Sequence, residues 1–151
     1  MKRGGILNSG LSAAVSKLGH GDMILIGDVG CAFPEKETIE VIDLAVSDGI
    51  PLVADVLRTV LEELVVESYI LAEESLTASA DVNAKASADN VRKLENLLAK
   101  FPNMNGPITR KILPHADIKR LWLGGEQMKV FVRTGEHTPW GYIMLVAGVS
   151  F

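Results

Sequence analysis

Met23-Ile24-Leu25-Ile26 is a short apolar run with a glycine close by on each side, Gly21 and Gly27. A run of this length closed off by turn formers reads as a buried strand. Its two ends carry chemistry. His20 and Asp22 lie in the loop that enters it, and Asp28 stands where the chain leaves. A strand rises about 3.3 Å per residue, so Asp22 and Asp28 fall roughly 20 Å apart and cannot share one pocket. His20 meets Asp28 only if the loop doubles back or a second subunit supplies one of the two.

The rest of the chain alternates helical and strand patterns around that run. Asn8 or Ser9 is placed to cap a helix over 11–18, with Leu11, Val15 and Leu18 on one face. The segment 39–46, rich in Val and Ile, reads as a second strand. Pro51 opens a helix in which Val53, Val56, Leu57, Val60, Leu61 and Leu64 recur at helical spacing. A strand is expected over 65–71. Residues 75–89, rich in Ala, Ser, Thr and Asp, read as a solvated loop leading to a helix whose apolar face is Val91, Leu94, Leu97 and Leu98. A loop over 103–107 and a short strand over 108–113 follow. Pro114 and His115 open a helix toward Leu123, and strands over 128–132 and 142–149 complete the chain. This interleaving predicts a single α/β domain spanning 1–151. Its expected form is three-layer α/β/α, with helices covering a mixed, largely buried sheet of about six strands.

The bulk numbers restrict the function. The 151 residues are 48% hydrophobic and 23% charged, with a net charge of −4, which offers neither nucleic acid nor an anionic membrane an electrostatic attraction. Cys31 is the only cysteine, so no internal disulfide forms, and a reducing compartment is the simplest setting. Gly4-Gly5 and the polar residues after Leu7 interrupt any signal-peptide core behind Lys2-Arg3, and no apolar run is long enough for a bilayer. A cytoplasmic protein is expected.

Motif elimination leaves little besides imidazole, carboxylate and aromatic groups. The three histidines, His20, His115 and His137, lie in expected loops or at element ends. No paired histidines share a helix face and no cysteine pair exists, so a zinc site is not indicated. Gly27 and Gly30 lack the third glycine of a dinucleotide fingerprint, Gly124-Gly125 lacks the lysine of a phosphate loop, and no serine sits in a nucleophile elbow. Histidine exchanges protons near neutrality, a carboxylate accepts hydrogen bonds from sugar hydroxyls, and Trp140 and Tyr142 offer apolar faces to a sugar ring. A plainer account is slightly favoured on spacing alone: Asp28 caps a turn, Trp140 fills a gap and Tyr142 begins a strand.

Several segments together change that balance. The start 1–8 (MKRGGILN), Leu18-Gly19-His20-Gly21-Asp22, Asp28, Ile42-Asp43-Leu44-Ala45, Gly49-Ile50-Pro51, Glu67, Ala72-Glu73-Glu74, Arg133-Thr134-Gly135-Glu136 and the ending Ala147-Gly148-Val149-Ser150-Phe151 resemble the ribose pyranase and fucose mutarotase family, the ribose branch more closely. The likeness covers nearly the whole chain and is weakest over 75–112, where this chain is longer. It implies a cytoplasmic homo-oligomer, a decameric ring in the best-known members. Such proteins act on free monosaccharides such as D-ribose without metal or cofactor. It puts the catalytic histidine at His20, the sugar-holding aspartate at Asp28 and a second sugar-contacting histidine at His115. The family's Tyr-Ala/Gly-Asn segment falls on Trp140-Gly141-Tyr142, where Trp replaces Tyr and Tyr replaces Asn. Those two departures leave open which sugar is taken. They also keep alive a fucose-type mutarotase, a non-catalytic sugar-binding or transport-associated module, and an oligomer with a vestigial site.

Overall fold

The computed structural model describes residues 1–77, 82–101, 103 and 106–151. Its centre is a six-stranded sheet in the order β2-β5-β1-β6-β3-β4. The strands are β1 (Met23–Gly27), β2 (Glu40–Asp43), β3 (Val66–Ala72), β4 (Thr109–Leu113), β5 (Met128–Arg133) and β6 (Ile143–Ala147). β1 runs parallel to β5, and β5 parallel to β2; β6 is antiparallel to both β1 and β3, and β4 is parallel to β3. The sheet is therefore mixed, and β6 is the strand that joins two parallel groups.

The alternation of side chains along β1 builds two cores from one strand. Ile24 and Ile26 face a layer made by three helices, α1 (Ser9–Ser16), α2 (Val53–Leu61) and α3 (Val82–Leu98). Leu25 faces the other way, with Phe131 and Met144, onto Ile118 and Trp122 of α4 (His115–Gly124). The result is the expected three-layer α/β/α arrangement. No helix among the described residues is long and apolar enough to cross a membrane.

Local signals explain most element ends. The Asn8 side chain accepts from the Leu11 amide at 2.9 Å and starts α1. α2 begins at Val53, two residues beyond Pro51, because the Asp55 carboxylate accepts from the Leu52 amide at 3.1 Å and fixes the first turn there. β2 occupies only four residues of the expected 39–46 strand: it is an edge, pairs with β5 alone, and ends where the Asp43 carboxylate turns back on the Ala45 amide at 3.0 Å. α3 begins at Val82, well inside the segment expected to be a loop. Of that expected loop, 78–81 lie outside the described residues, as do 104–105 of the expected 103–107 loop.

Candidate functional site

The sheet's strand polarity gathers one set of chain ends. Asp28 follows β1, Glu136 follows β5, His115 opens α4 just after β4, and Tyr142 precedes the antiparallel β6. Ligands of open α/β sheets sit at the carboxyl ends of parallel strands, and this is that edge. A cavity of about 340 Å³ lies there, lined by Asp28, Cys31, His115, Glu136, His137, Trp140 and Tyr142 and, beyond the residues named from sequence, by Lys119. The volume suits a monosaccharide-sized molecule.

Asp28 is held in place on several sides. Its Oδ1 accepts from the Gly30 amide at 2.9 Å. The Cys31 amide donates to the Asp28 main-chain carbonyl at 3.3 Å, and the Cys31 thiol and the Gly141 amide face the carboxylate as further polar neighbours. Burial pushes its carboxyl above the usual aspartate range, while the surrounding donors at Gly30, Cys31 and Gly141 pull the other way. Burial, with the Asp28 charge next to it, pushes the Cys31 thiol up, so it stays protonated and serves as a donor rather than a nucleophile.

His115 is fixed at both main chain and ring. Its amide donates to the Glu74 carboxylate, at 2.8 Å to Oε2 and 3.1 Å to Oε1, so an acidic group caps the start of α4. Its Nδ1 lies 2.7 Å from the Tyr142 hydroxyl. The rings of His115, Trp122 and Tyr142 form a three-way cluster, with centroids 5.5 Å (His115–Trp122), 5.7 Å (His115–Tyr142) and 5.2 Å (Trp122–Tyr142) apart. Burial, together with the charges on Glu74 and Asp28, pushes the Tyr142 phenol up, and it is neutral at ordinary pH. At 1% exposure the Tyr142 ring is enclosed, so no broad face of it is open for a sugar to stack on. The half-exposed indole of Trp140 is the available aromatic wall.

The turn that carries Trp140 is tight. Gly141 has no room for a side chain, since a Cβ there would sit 2.6 Å from the Thr138 carbonyl oxygen. The buried Glu136 carboxylate accepts from the Thr138 amide at 3.1 Å and from its hydroxyl at 2.6 Å. His137, on the cavity rim, reaches Asp48 at 3.3 Å.

His20 lies at the other end of β1. The Gly19–Asp22 turn closes on itself through the Asp22 carboxylate and the Gly19 amide at 2.9 Å. Gly21, at φ +83°, donates to the Ala147 carbonyl at 2.9 Å, and the Ala147 amide returns a bond to Asp22 at 2.8 Å. These ties pin the turn to the end of β6 and close the doubling-back route to Asp28. The five residues of β1 intervene, a span of about 17 Å at ordinary strand rise. His20 instead places Nε2 2.7 Å from Oε2 of Glu67, on β3.

Glu67 and Glu136 lie in segments that drew notice only as sequence likeness, the latter inside Arg133-Thr134-Gly135-Glu136. Lys119 had a local signal: it falls four residues after His115 on α4 and so shares its face. A second hollow, of about 350 Å³, lies between the end of α2 and Phe101; no histidine lines it. Among the described residues no group of three His, Cys, Asp or Glu side chains is arranged to hold a metal ion.

Fold and cavity together define a small α/β protein with a carboxylate, an imidazole, a lysine and an indole converging on a site for a hydroxyl-rich molecule. The chain belongs to the RbsD / FucU transport protein family, whose model matches residues 1–150. It is 40% identical over 152 residues to the D-ribose pyranase of Pseudomonas entomophila and 41% identical over 151 residues to that of Pediococcus pentosaceus, covering 100% of both chains in each case. Its fold matches that of Bacillus subtilis RbsD complexed with D-ribose, with a TM-score of 0.80, 34% identity and 100% of each chain covered. The Streptococcus pneumoniae fucose mutarotase in complex with L-fucose shares the fold at a TM-score of 0.63 and 18% identity, over 95% of this chain and 94% of that one.

Proposed function

We propose that this protein is an intramolecular isomerase of the D-ribose pyranase type, interconverting the pyranose and furanose forms of a free monosaccharide. Full-length identity near 40% to proteins named D-ribose pyranase supports the reaction. The observation that carries it is the cavity in which Asp28 and the Tyr142-braced His115 converge.

Ring opening removes a proton from the anomeric hydroxyl and delivers one to the ring oxygen as the ring C–O bond breaks and the carbonyl forms. Closure by a different hydroxyl adds that oxygen to the carbonyl carbon and runs the proton transfers in reverse. His20 is the acid/base. With Nε2–H donated to Glu67, its Nδ1 lone pair is left to take a proton. A positioned group of this kind contributes about 10²–10⁴ in rate. Asp28 and His115 orient hydroxyls, Trp140 and Tyr142 shape the wall, and the main chain at Gly141 fixes the turn.

Because β1 separates His20 from Asp28, the working site takes His20 from a neighbouring copy in a homo-oligomer, a decamer by family likeness. Exposed Leu7, Val41, Val46 and Ile50 are apolar surface that assembly would cover. A reducing, cytoplasmic setting fits the lone buried thiol of Cys31.

The test is saturation-difference NMR, which sees exchange between sugar ring forms directly. The wild type accelerates exchange of D-ribose, and a panel including L-fucose ranks the sugars. His20→Ala keeps fold and assembly and returns exchange to the buffer rate; an unchanged rate in that variant rejects the assignment.

A further inference from the structure

Trp140 is the only non-glycine residue among those described with a positive φ, at 51°. For an L-residue that conformation is strained, so neighbouring contacts must hold it. The main-chain carbonyls on either side of Trp140 are both held by side chains of one distant element. Ser87 Oγ donates to the Pro139 carbonyl at 2.8 Å, and Asn90 Nδ2 donates to the Gly141 carbonyl at 3.1 Å. Both donors are on α3, one turn apart, and both are buried, Ser87 at 1% and Asn90 at 9% exposure. The remaining buried face of α3, at Val91, Leu94 and Leu98, enters the apolar core. Two polar residues on an inward face are unfavourable unless bonded, and here they bond the carbonyls that flank the strained residue.

We propose that α3 is a positioning element for the cavity: Ser87 and Asn90 clamp the turn on both sides of Trp140 and so set the indole wall that selects the sugar. The clamp acts on binding, through Trp140, and leaves proton transfer to other groups. It rests on the cavity being the sugar site.

Ser87→Ala removes one clamp bond with almost no change in volume, Ser87→Thr restores a hydroxyl, and Asn90→Ala removes the second bond. Iodide quenching of tryptophan fluorescence reads the turn without any sugar, because Trp122, at 1% exposure, is shielded and Trp140 is not. Quenching rises in both alanine variants and returns toward wild type in Ser87→Thr. For D-ribose, Ser87→Ala raises the dissociation constant about threefold to tenfold, the range of one net hydrogen bond, while the exchange rate at saturating sugar stays within about twofold. In a Trp140→Ala background the same Ser87→Ala change leaves sugar affinity unaltered. Unchanged quenching, a fall in saturated rate equal to the loss of affinity, or an affinity loss that persists without Trp140 would each overturn the clamp. If the wild type neither binds nor isomerises any sugar, the pyranase reading fails on its own, and quenching alone decides whether α3 holds Trp140.

Discussion

Tyr142 separates two contributions that one residue makes to the cavity floor, and two substitutions pull them apart. Tyr142→Phe deletes only the hydroxyl that lies 2.7 Å from His115 Nδ1; the ring contacts, 5.2 Å to Trp122 and 5.7 Å to His115 between centroids, persist. His115 is half-buried, so water partly replaces the lost partner, and the expected cost is about 1 kcal/mol. For a chain of this length that lowers the thermal midpoint by about 3 °C. Tyr142→Asn also removes an aromatic ring that is 1% exposed. Emptying such a site costs about 3–5 kcal/mol, and with it go two ring contacts worth about 0.5–1.5 kcal/mol each at most. Urea unfolding followed by far-UV circular dichroism measures both variants, with sugar titration alongside. The expected order is wild type, then Tyr142→Phe close behind, then Tyr142→Asn well below. Sugar affinity falls in Tyr142→Phe as the imidazole loses its brace. The reasoning fails if Tyr142→Asn is as stable as the wild type, because the three-ring cluster would then not be supporting the floor. It fails equally if Tyr142→Phe is as damaging as Tyr142→Asn.

Two further outcomes follow from the titrating groups. Burial and the bond to Glu95 push the Tyr69 phenol up to about 12 from an ordinary value of 10.0, and burial raises Tyr142 as well. Folded values above unfolded ones mean a stabilising contribution that is complete below pH 10 and lost as pH climbs through about 12. Urea midpoints measured from pH 8 upward should hold level and then fall above about pH 10, with a shallower fall in Tyr69→Phe. Asp28 is raised too, by burial, so its contribution is complete only below its ordinary value of 3.8 and is lost as pH rises. At neutral pH the buried carboxylate is thus a net cost, and Asp28→Asn should raise the thermal midpoint while removing sugar binding; a variant that melts lower and still binds would contradict this.

What the sequence made legible was whatever a single period or a single loop position could encode. β1 stood out because its apolar run is closed by glycines, and α2 because its apolar residues recur at helical spacing over its whole length. Asp28 and His115 were readable as chemistry at element ends. The start of α3 was not readable for a specific reason. Ser87 and Asn90 point inward to bond carbonyls of the 138–141 turn rather than to fill the core, so the hydrophobic period lapses where the helix is in fact present. Glu67 was hidden by distance: its partner His20 lies 47 residues earlier in the chain, and on a strand it reads as ordinary surface. The shortening of β2 was likewise invisible, because edge position depends on the strand order and not on composition.

The same strand order has a consequence for how such a site can change. β1 puts the His20–Glu67 pair at one end of the sheet and the Asp28–His115 cavity at the other, with five residues between. On the proposed reading a neighbouring copy brings the two ends together, so proton transfer and sugar selection are built on separate parts of one chain. Substitutions in the wall are then free of the imidazole's own constraints. Trp140 and Tyr142 are each stabilised locally, Trp140 through the turn that α3 holds and Tyr142 through Trp122 and His115. None of those contacts touches His20 or Glu67. On that reading, a substitution at Trp140 changes the sugar accepted while the His20–Glu67 pair keeps its geometry.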